Sequence, residues 1–214
     1  MKRISVVGLS IVALFAMSAL LATSASAKEK PKKLLTMKTA KGPLAAGAAL
    51  TASSSNLKFV TSAGNLECSS NIIEGEAKTN NATKDTGPIK GEKSTGSETV
   101  EGKSGACKTT TPLGATLISV NNLPWSDTFT DKGGNEVKGK KVSFTSTFAG
   151  GIVCIFEASK VKSSFTIGGP VKITTANQVF KASKASNGAC PKEGKLSGEF
   201  SVTSGGETVE SELT

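Results

Sequence analysis

"KVSFTSTFAGGIVCIFE", residues 141–157, is the stretch on which the fold turns. In its first half Val142, Phe144 and Phe148 share one parity, with Ser and Thr between them. That two-residue period gives a strand one apolar and one wet face, the pattern of an antiparallel sheet. In its second half "GIVCIFE", 151–157, is apolar on both parities, which predicts a central strand covered on both sides. Downstream, Val161, Phe165 and Ile167 repeat the alternation in "VKSSFTI", and "PVKITT", "QVFKAS", "KLSGEFSVTS" and "ETVESE" continue it. Gly168-Gly169-Pro170, Asn187-Gly188 and Gly205-Gly206 supply turns between these runs. No window after residue 27 carries the i, i+3, i+4 spacing of a helix. The expected fold is all-β, an antiparallel β-sandwich or barrel with essentially no helix beyond residue 27. A transmembrane barrel would want aromatic girdles, and the chain has no Tyr and one Trp.

The N-terminal residues read differently. Met1-Lys2-Arg3 is a short cationic start, followed by an apolar run from Ile4 to Ala22 and the small-residue end Ala25-Ser26-Ala27. This is the three-part pattern of a secretory signal peptide over 1–27, so the protein is expected to be secreted, extracellular or envelope-associated. No later apolar run suggests a transmembrane segment. Next comes "KEKPKK", 28–33, whose Lys28, Lys30, Lys32 and Lys33 could form an electrostatic foot for an anionic cell-wall or envelope polymer. The plainer reading is a solvated tail. The domain plan is thus a flexible basic arm over 28–48 and one β-domain over 49–214. The net charge of +9 is carried by lysine along the whole chain. With one Trp and no Tyr there is no basic-aromatic interleaving, so no specific nucleic-acid partner is expected.

Secretion sets how four cysteines are read: as two disulfides, with three connectivities open. "AGNLEC" ends at Cys68 and "AGGIVC" at Cys154, while "SGACK" holds Cys107 and "NGACPK" holds Cys190. The same phrases in the same order, at nearly equal spacing, suggest a duplication into halves of about 49–130 and 135–214. If each half keeps its own bridge, Cys68 pairs with Cys107 and Cys154 with Cys190, against the alternative of bridges between equivalent cysteines. Metal ligation would want C-x-x-C spacing or histidine, and the chain has neither.

The stretch 77–106 has only Ile89 and Val100 as large apolar residues, so it is expected to be a long polar excursion or a pair of exposed edge strands. It could serve as a binding loop or stand as a tolerant surface segment. The absence of histidine removes Ser-His-Asp, Cys-His and His-metal chemistry. Asp85, Asp127 and Asp131 are the only aspartates; with the glutamates they leave a two-carboxylate hydrolase formally open, although sugar platforms would want more aromatics. In "WSDTFTDKGGNE", 125–136, Asp127, Asp131, Asn135 and Glu136 surround Gly133-Gly134. Such oxygens could hold calcium, but "DKGGN" reads more simply as a hairpin turn. Trp125, opening a strand after Pro124 in "NNLPW", is expected to plug a core rather than present a ligand platform. "NAT", 81–83, fits the glycosylation acceptor pattern.

The short leader, the Thr/Ser/Gly-rich strands, "AGNLEC", "NNLPWS" and "NGACP" together resemble uncharacterised secreted β-proteins of actinobacteria, over most of residues 50–205. The resemblance implies the architecture and no particular activity or cofactor. The function expected from the sequence is a non-enzymatic extracellular or cell-envelope binding or structural protein, with no catalytic, cofactor or metal site. The alternatives are a secreted carboxylate-dependent hydrolase and a soluble inhibitor or effector that uses the 77–106 loop.

Overall fold

A computed structural model describes residues 32–214, and the expected signal sequence lies outside the described residues. The first half of this region carries β1 (Leu35–Thr39), β2 (Gly42–Pro43), β3 (Ala49–Ser54), β4 (Leu57–Thr61), β5 (Gly64–Cys68), β6 (Ser70–Glu76) and β7 (Lys84–Thr95). Then come β8 (Glu98–Val100), β9 (Lys103–Ala106), β10 (Lys108–Thr109), β11 (Thr116–Asn121), β12 (Trp125–Thr130) and β13 (Gly134–Phe148). A 3-10 turn at Ala149–Gly151 leads to β14 (Val153–Phe165), β15 (Gly169–Pro170), β16 (Lys172–Ala182), β17 (Glu193–Ser204), β18 (Glu207–Thr208) and β19 (Glu210–Leu213).

Eight of these strands close a ring in the order β3, β6, β7, β12, β13, β14, β16, β17, every pairing antiparallel, and β17 returns to β3 through Ser201–Thr203. The fold is a closed eight-stranded β-barrel with extra strands. Closure removes the edge-strand problem for the ring. The four long strands β13, β14, β16 and β17 extend past the ring. There β11 lies on the far half of β13, β4 on the first half of β17, and β5 and β10 follow β4. Cys107, next to β10, pairs with Thr116 of β11 through two backbone bonds of 2.7 and 3.0 Å, so this end closes too, over a short seam.

The decisive stretch forms the wall it predicts. Val142 and Phe148 of β13 and Cys154 and Phe156 of β14 are buried in one core cluster with Phe59 and Phe180. Phe59, Phe144, Phe156 and Phe180 meet mostly edge to face, with ring centroids 4.8–6.2 Å apart, a favoured aromatic geometry. Where β16 ends, the loop after it continues the pairing along the edge of "GIVCIFE": the Asn187 amide donates to Val153 O at 2.9 Å and the Ser183 amide to Ile155 O at 2.8 Å. Cys190 sits in that loop and is bridged to Cys154, while Cys68 is bridged to Cys107. The likeness of the halves stays local to the cysteines. Cys68 ends the short β5, whereas Cys154 begins a long wall strand.

Two expectations are corrected. The arm over 28–48 is not loose where it is described: β1 pairs with β19 and β2, and Leu35, Met37 and Leu44 are buried against one end of the barrel. Asn80 holds it by acting as a strand partner. Its Oδ1 accepts from Met37 N, and its Nδ2 donates to Met37 O and Leu44 O, all within 2.9 Å. The apolar alternation here, Leu35 then Met37, is too short to stand out among lysines.

The 77–106 stretch is not an excursion either. Its β7 is a central wall strand between β12 and β6, and only the β8–β9 hairpin stands outside the ring. The sequence test failed because β7 faces the barrel interior with Asp85, Gly87, Glu92 and Ser94 as well as Ile89. Gly87 lies where any Cβ would come within 1.8 Å of Glu76 O, a close approach of backbones that only glycine permits.

Candidate functional site

Along β12 the inward parity reads Trp125, Asp127, Phe129, an acid between two buried aromatics. Antiparallel pairing sets Trp125 opposite Ile89 and Phe129 opposite Asp85 of β7. On the other side, Asn135 of β13 is buried and its Nδ2 donates to Asp127 Oδ1 at 2.6 Å. Asn135 is paired with Ser163 of β14, and Ser163 Oγ meets Thr175 Oγ1 of β16 at 2.7 Å. These residues form a polar belt across four strands.

The opposite wall has a second polar group. Asn71 of β6, fully buried, donates through Nδ2 to Glu92 Oε1 at 3.0 Å and to Ser94 Oγ, both on β7. The two groups face a cavity of about 110 Å³, closed on its other sides by residues such as Phe59, Phe144, Val161 and Leu196. A smaller space of about 50 Å³ adjoins it and shares Asp127, Ile73, Ile89 and Ile173. Trp125 is 5% exposed, lines the larger cavity, and its Nε1 has no hydrogen-bond partner. Its ring is pressed against Gly139, where an added Cβ would lie 2.7 Å from the indole. The lone Trp is a core residue, as expected, and the edge that carries its unpartnered N–H lies against Gly139.

The electrostatics follow from enclosure. Burial pushes the Asp127 carboxyl up to about 7, against the opposing pull of bonds from Asn135 and the Thr128 amide. Glu92 is raised for the same reason, with Asn71 and Ser94 opposing. Both keep some accessible surface although protein surrounds them, as befits groups on the wall of an internal space. Asp85, 2% exposed beside the smaller space, is pushed up to about 6 by burial. Neither of its oxygens has a partner, and the nearby Ala82 amide donates to Leu35 O instead. Among the residues lining the larger cavity only Glu92 and Asp127 ionise; the smaller adds Asp85 and Glu76, the latter paired with Lys90. No basic side chain lines either space.

A raised carboxyl pKa means that the folded protein holds its proton more tightly than the unfolded chain does. The stability carried by the Asp127 proton is complete below about pH 4 and is lost as pH rises through about 7. Asn keeps the acceptor for Asn135 and never ionises. Asp127→Asn is therefore expected to raise the thermal midpoint at pH 8 by roughly 5–10 °C and to leave it unchanged at pH 4, by scanning calorimetry. An equal midpoint for both proteins at pH 8 would show that the lumen does not disfavour the charge.

The residues singled out in the sequence are scattered by the fold. Asp131 lies at the β12–β13 turn, with Gly133 at φ 74°, and Glu136 points outward to Lys138 and Lys160, so the "DKGGN" oxygens do not converge on one ion. Among the described residues no group of three or more His, Cys, Asp or Glu could hold a metal, and no helix is long and apolar enough to cross a membrane. Lys32 and Lys33 are exposed ahead of β1, and Lys28 and Lys30 lie outside the described residues. Glu92 and the Asn71 group were not foreseen. The signal for Asp127 was present, an acid on the inward parity of an aromatic strand. No protein-family model matches the chain, and comparison with curated proteins and with solved structures finds no match.

Proposed function

We propose that the protein is an extracellular, non-enzymatic binding protein that holds a small molecule inside its barrel. The observation that carries this reading is the cavity of about 110 Å³ inside the closed ring, lined mostly by apolar side chains and by Asp127 and Glu92. Eight-stranded barrels either fill with side chains or enclose one small ligand, and an apolar cavity of about 150 Å³ is enough for benzene. Two disulfides fit an oxidising compartment, and the leader-like residues 1–27 support secretion. The lysine-rich outside, including Lys32 and Lys33, supports loose association with an anionic envelope polymer. The hydrolase reading is disfavoured by size, since a space for a handful of atoms does not admit a sugar ring and an attacking water.

Trp125 makes the test simple, because it is the single Trp of the chain and lines the lumen. Small organic probes titrated into the full protein are expected to shift its fluorescence saturably and to raise the thermal midpoint. Ala52 lines both spaces, and Ala52→Leu is expected to abolish the shift while keeping the fold. If no probe alters either signal, or if Ala52→Leu responds like the parent, the ligand is not in the lumen.

A further inference from the structure

The smaller space ends at a seam. Met37 of β1 lines one side of it, and Thr79 and Asp85, from the loop before β7 and the start of β7, line the other. Few bonds join β1 to that loop. Leu35 N donates to Ala82 O at 2.8 Å, Ala82 N to Leu35 O at 3.2 Å, and Thr36 Oγ1 to Asn81 Oδ1 at 3.3 Å, besides the bonds of the Asn80 side chain to Met37 and Leu44. Leu35↔Ala82 is an isolated bridge, whereas β19 holds β1 through the four pairs from Leu35↔Leu213 to Lys38↔Glu210. The seam can therefore part with β1 still on β19, and parting it uncovers the space that adjoins the lumen.

Asp85 stands at this seam, 2% exposed and with neither oxygen partnered among the described residues. The Ala82 amide is near enough to pull on the carboxyl, yet it donates to Leu35 O, in the longer of the two backbone bonds of the bridge. One donor thus stands between two acceptors, and a proton decides between them. A carboxylate makes a charge-assisted bond roughly twice as strong as a neutral acceptor does. A buried carboxylate with no partner is also costly, so the ion gains by taking the amide and by reaching water.

We infer that the seam between β1 and the 79–83 loop is a proton-operated gate to the lumen, closed while Asp85 is protonated and parted when the Asp85 carboxylate takes the Ala82 amide from Leu35 O. On the reading that the lumen holds the ligand, this gate is where the ligand enters and leaves. Burial pushes the Asp85 carboxyl up to about 6, against an ordinary value of about 4 once the seam is open and the group meets water. The proton's contribution to closure is full below about pH 4 and is lost as pH rises to about 6, a change of up to about hundredfold in the opening equilibrium. Of the other charges around this space, Asp127 on β12 ionises later, at about 7, and Glu76 on β6 is held by Lys90. From β3, β16 and β17 the space meets Leu50, Ala52, Ile173 and Val202. Lys38 of β1 is held by Glu212, and neither Lys84 nor Asp131 lines the space.

Amide exchange of the full chain, followed by NMR from pH 4 to pH 7 and expressed as protection against the unstructured rate at each pH, reads the seam. The Leu35 and Met37 amides, whose acceptors are Ala82 O and Asn80 Oδ1, should lose up to about hundredfold of protection between pH 4 and pH 6 and then level off. Asp85→Asn should hold the protection of pH 4 throughout, and Asp127→Asn should keep the step. Protection that stays level in the parent, falls alike in Asp85→Asn, or loses its step in Asp127→Asn overturns the gate. Benzene added to the full chain and followed by Trp125 emission should enter faster at pH 7 than at pH 4 in the parent, and at one rate in Asp85→Asn. If it enters the parent at one rate, the lumen fills by another route, and the gate fails while lumen binding stands. If benzene does not bind, the lumen reading falls and takes the entry role with it, while the exchange step still judges the Asp85 switch.

Discussion

Deletion of residues 78–104 is expected to leave a chain with no cooperative thermal transition. The deletion removes β7, which supplies the pairing between β12 and β6 through Trp125↔Ile89 to Thr130↔Lys84 on one side and Ser70↔Thr95 to Gly75↔Ile89 on the other. Without it the ring opens, two wall strands lose their partners, and Trp125 and Phe129 face water. It also removes Asn80, whose side chain completes the pairing of β1 at Met37 and of Leu44. Each element of the barrel closes over the others, so the loss does not stay local. Ile89→Ala alone should cost about 2–5 kcal/mol, the range for truncating a buried aliphatic residue. Circular dichroism and calorimetry of the deletion variant give the check. A sharp transition near the parent's midpoint would mean that β7 is dispensable and the ring is wrongly drawn.

The second large effect is expected at the disulfides, and it is unequal. The bridges enclose nearly the same length of chain, 39 and 36 residues, so loop-closure entropy assigns each about 4 kcal/mol. Their positions differ. Cys107 belongs to the seam where the second end of the molecule closes through a two-residue β10 and one bridge to Thr116. Cys190 pins the loop that takes over from β16 along the start of β14, and that strand keeps its pairing with β13, and with β16 further on, without it. Cys68→Ala with Cys107→Ala should lower the thermal midpoint by about 10–15 °C, and Cys154→Ala with Cys190→Ala by clearly less. Hydrogen exchange at the Thr116 amide should accelerate in the first pair only. Equal shifts in the two pairs would place the whole effect in the unfolded chain and remove the seam from the account.

Much of the wall was readable because its inward residues are apolar. Val142, Phe144, Phe165 and Phe200 alternate with Ser, Thr, Lys and Glu, and period two is a local property of the chain. The cysteine pairing was readable from the repeated phrases around Cys68, Cys107, Cys154 and Cys190, and the structure forms those two bridges. The wall was unreadable at β7, where the inward residues include Asp85, Gly87, Glu92 and Ser94 and a bulge between Ile89 and Gly91 switches the inward parity part-way along. A rule that equates the inside with apolar side chains places such a strand outside. The same rule hid the candidate site, since its acids sit on two strands that only the ring brings together.

What the sequence by itself determined is therefore local and covalent: strand-forming alternation in the second half, turns at the glycines, a cysteine framework suited to an oxidising compartment, and the lack of histidine. What only the tertiary structure decided is long-range. Ring closure sets which face of each strand is inside, and a barrel of eight strands leaves a lumen whose wall need not be apolar all the way round. Asp127 and Glu92 line one lumen, at different heights, because β7 pairs with β12 in a register that sets Asp127 opposite Gly87, which no local pattern encodes. Their raised affinity for protons is a consequence of that enclosure.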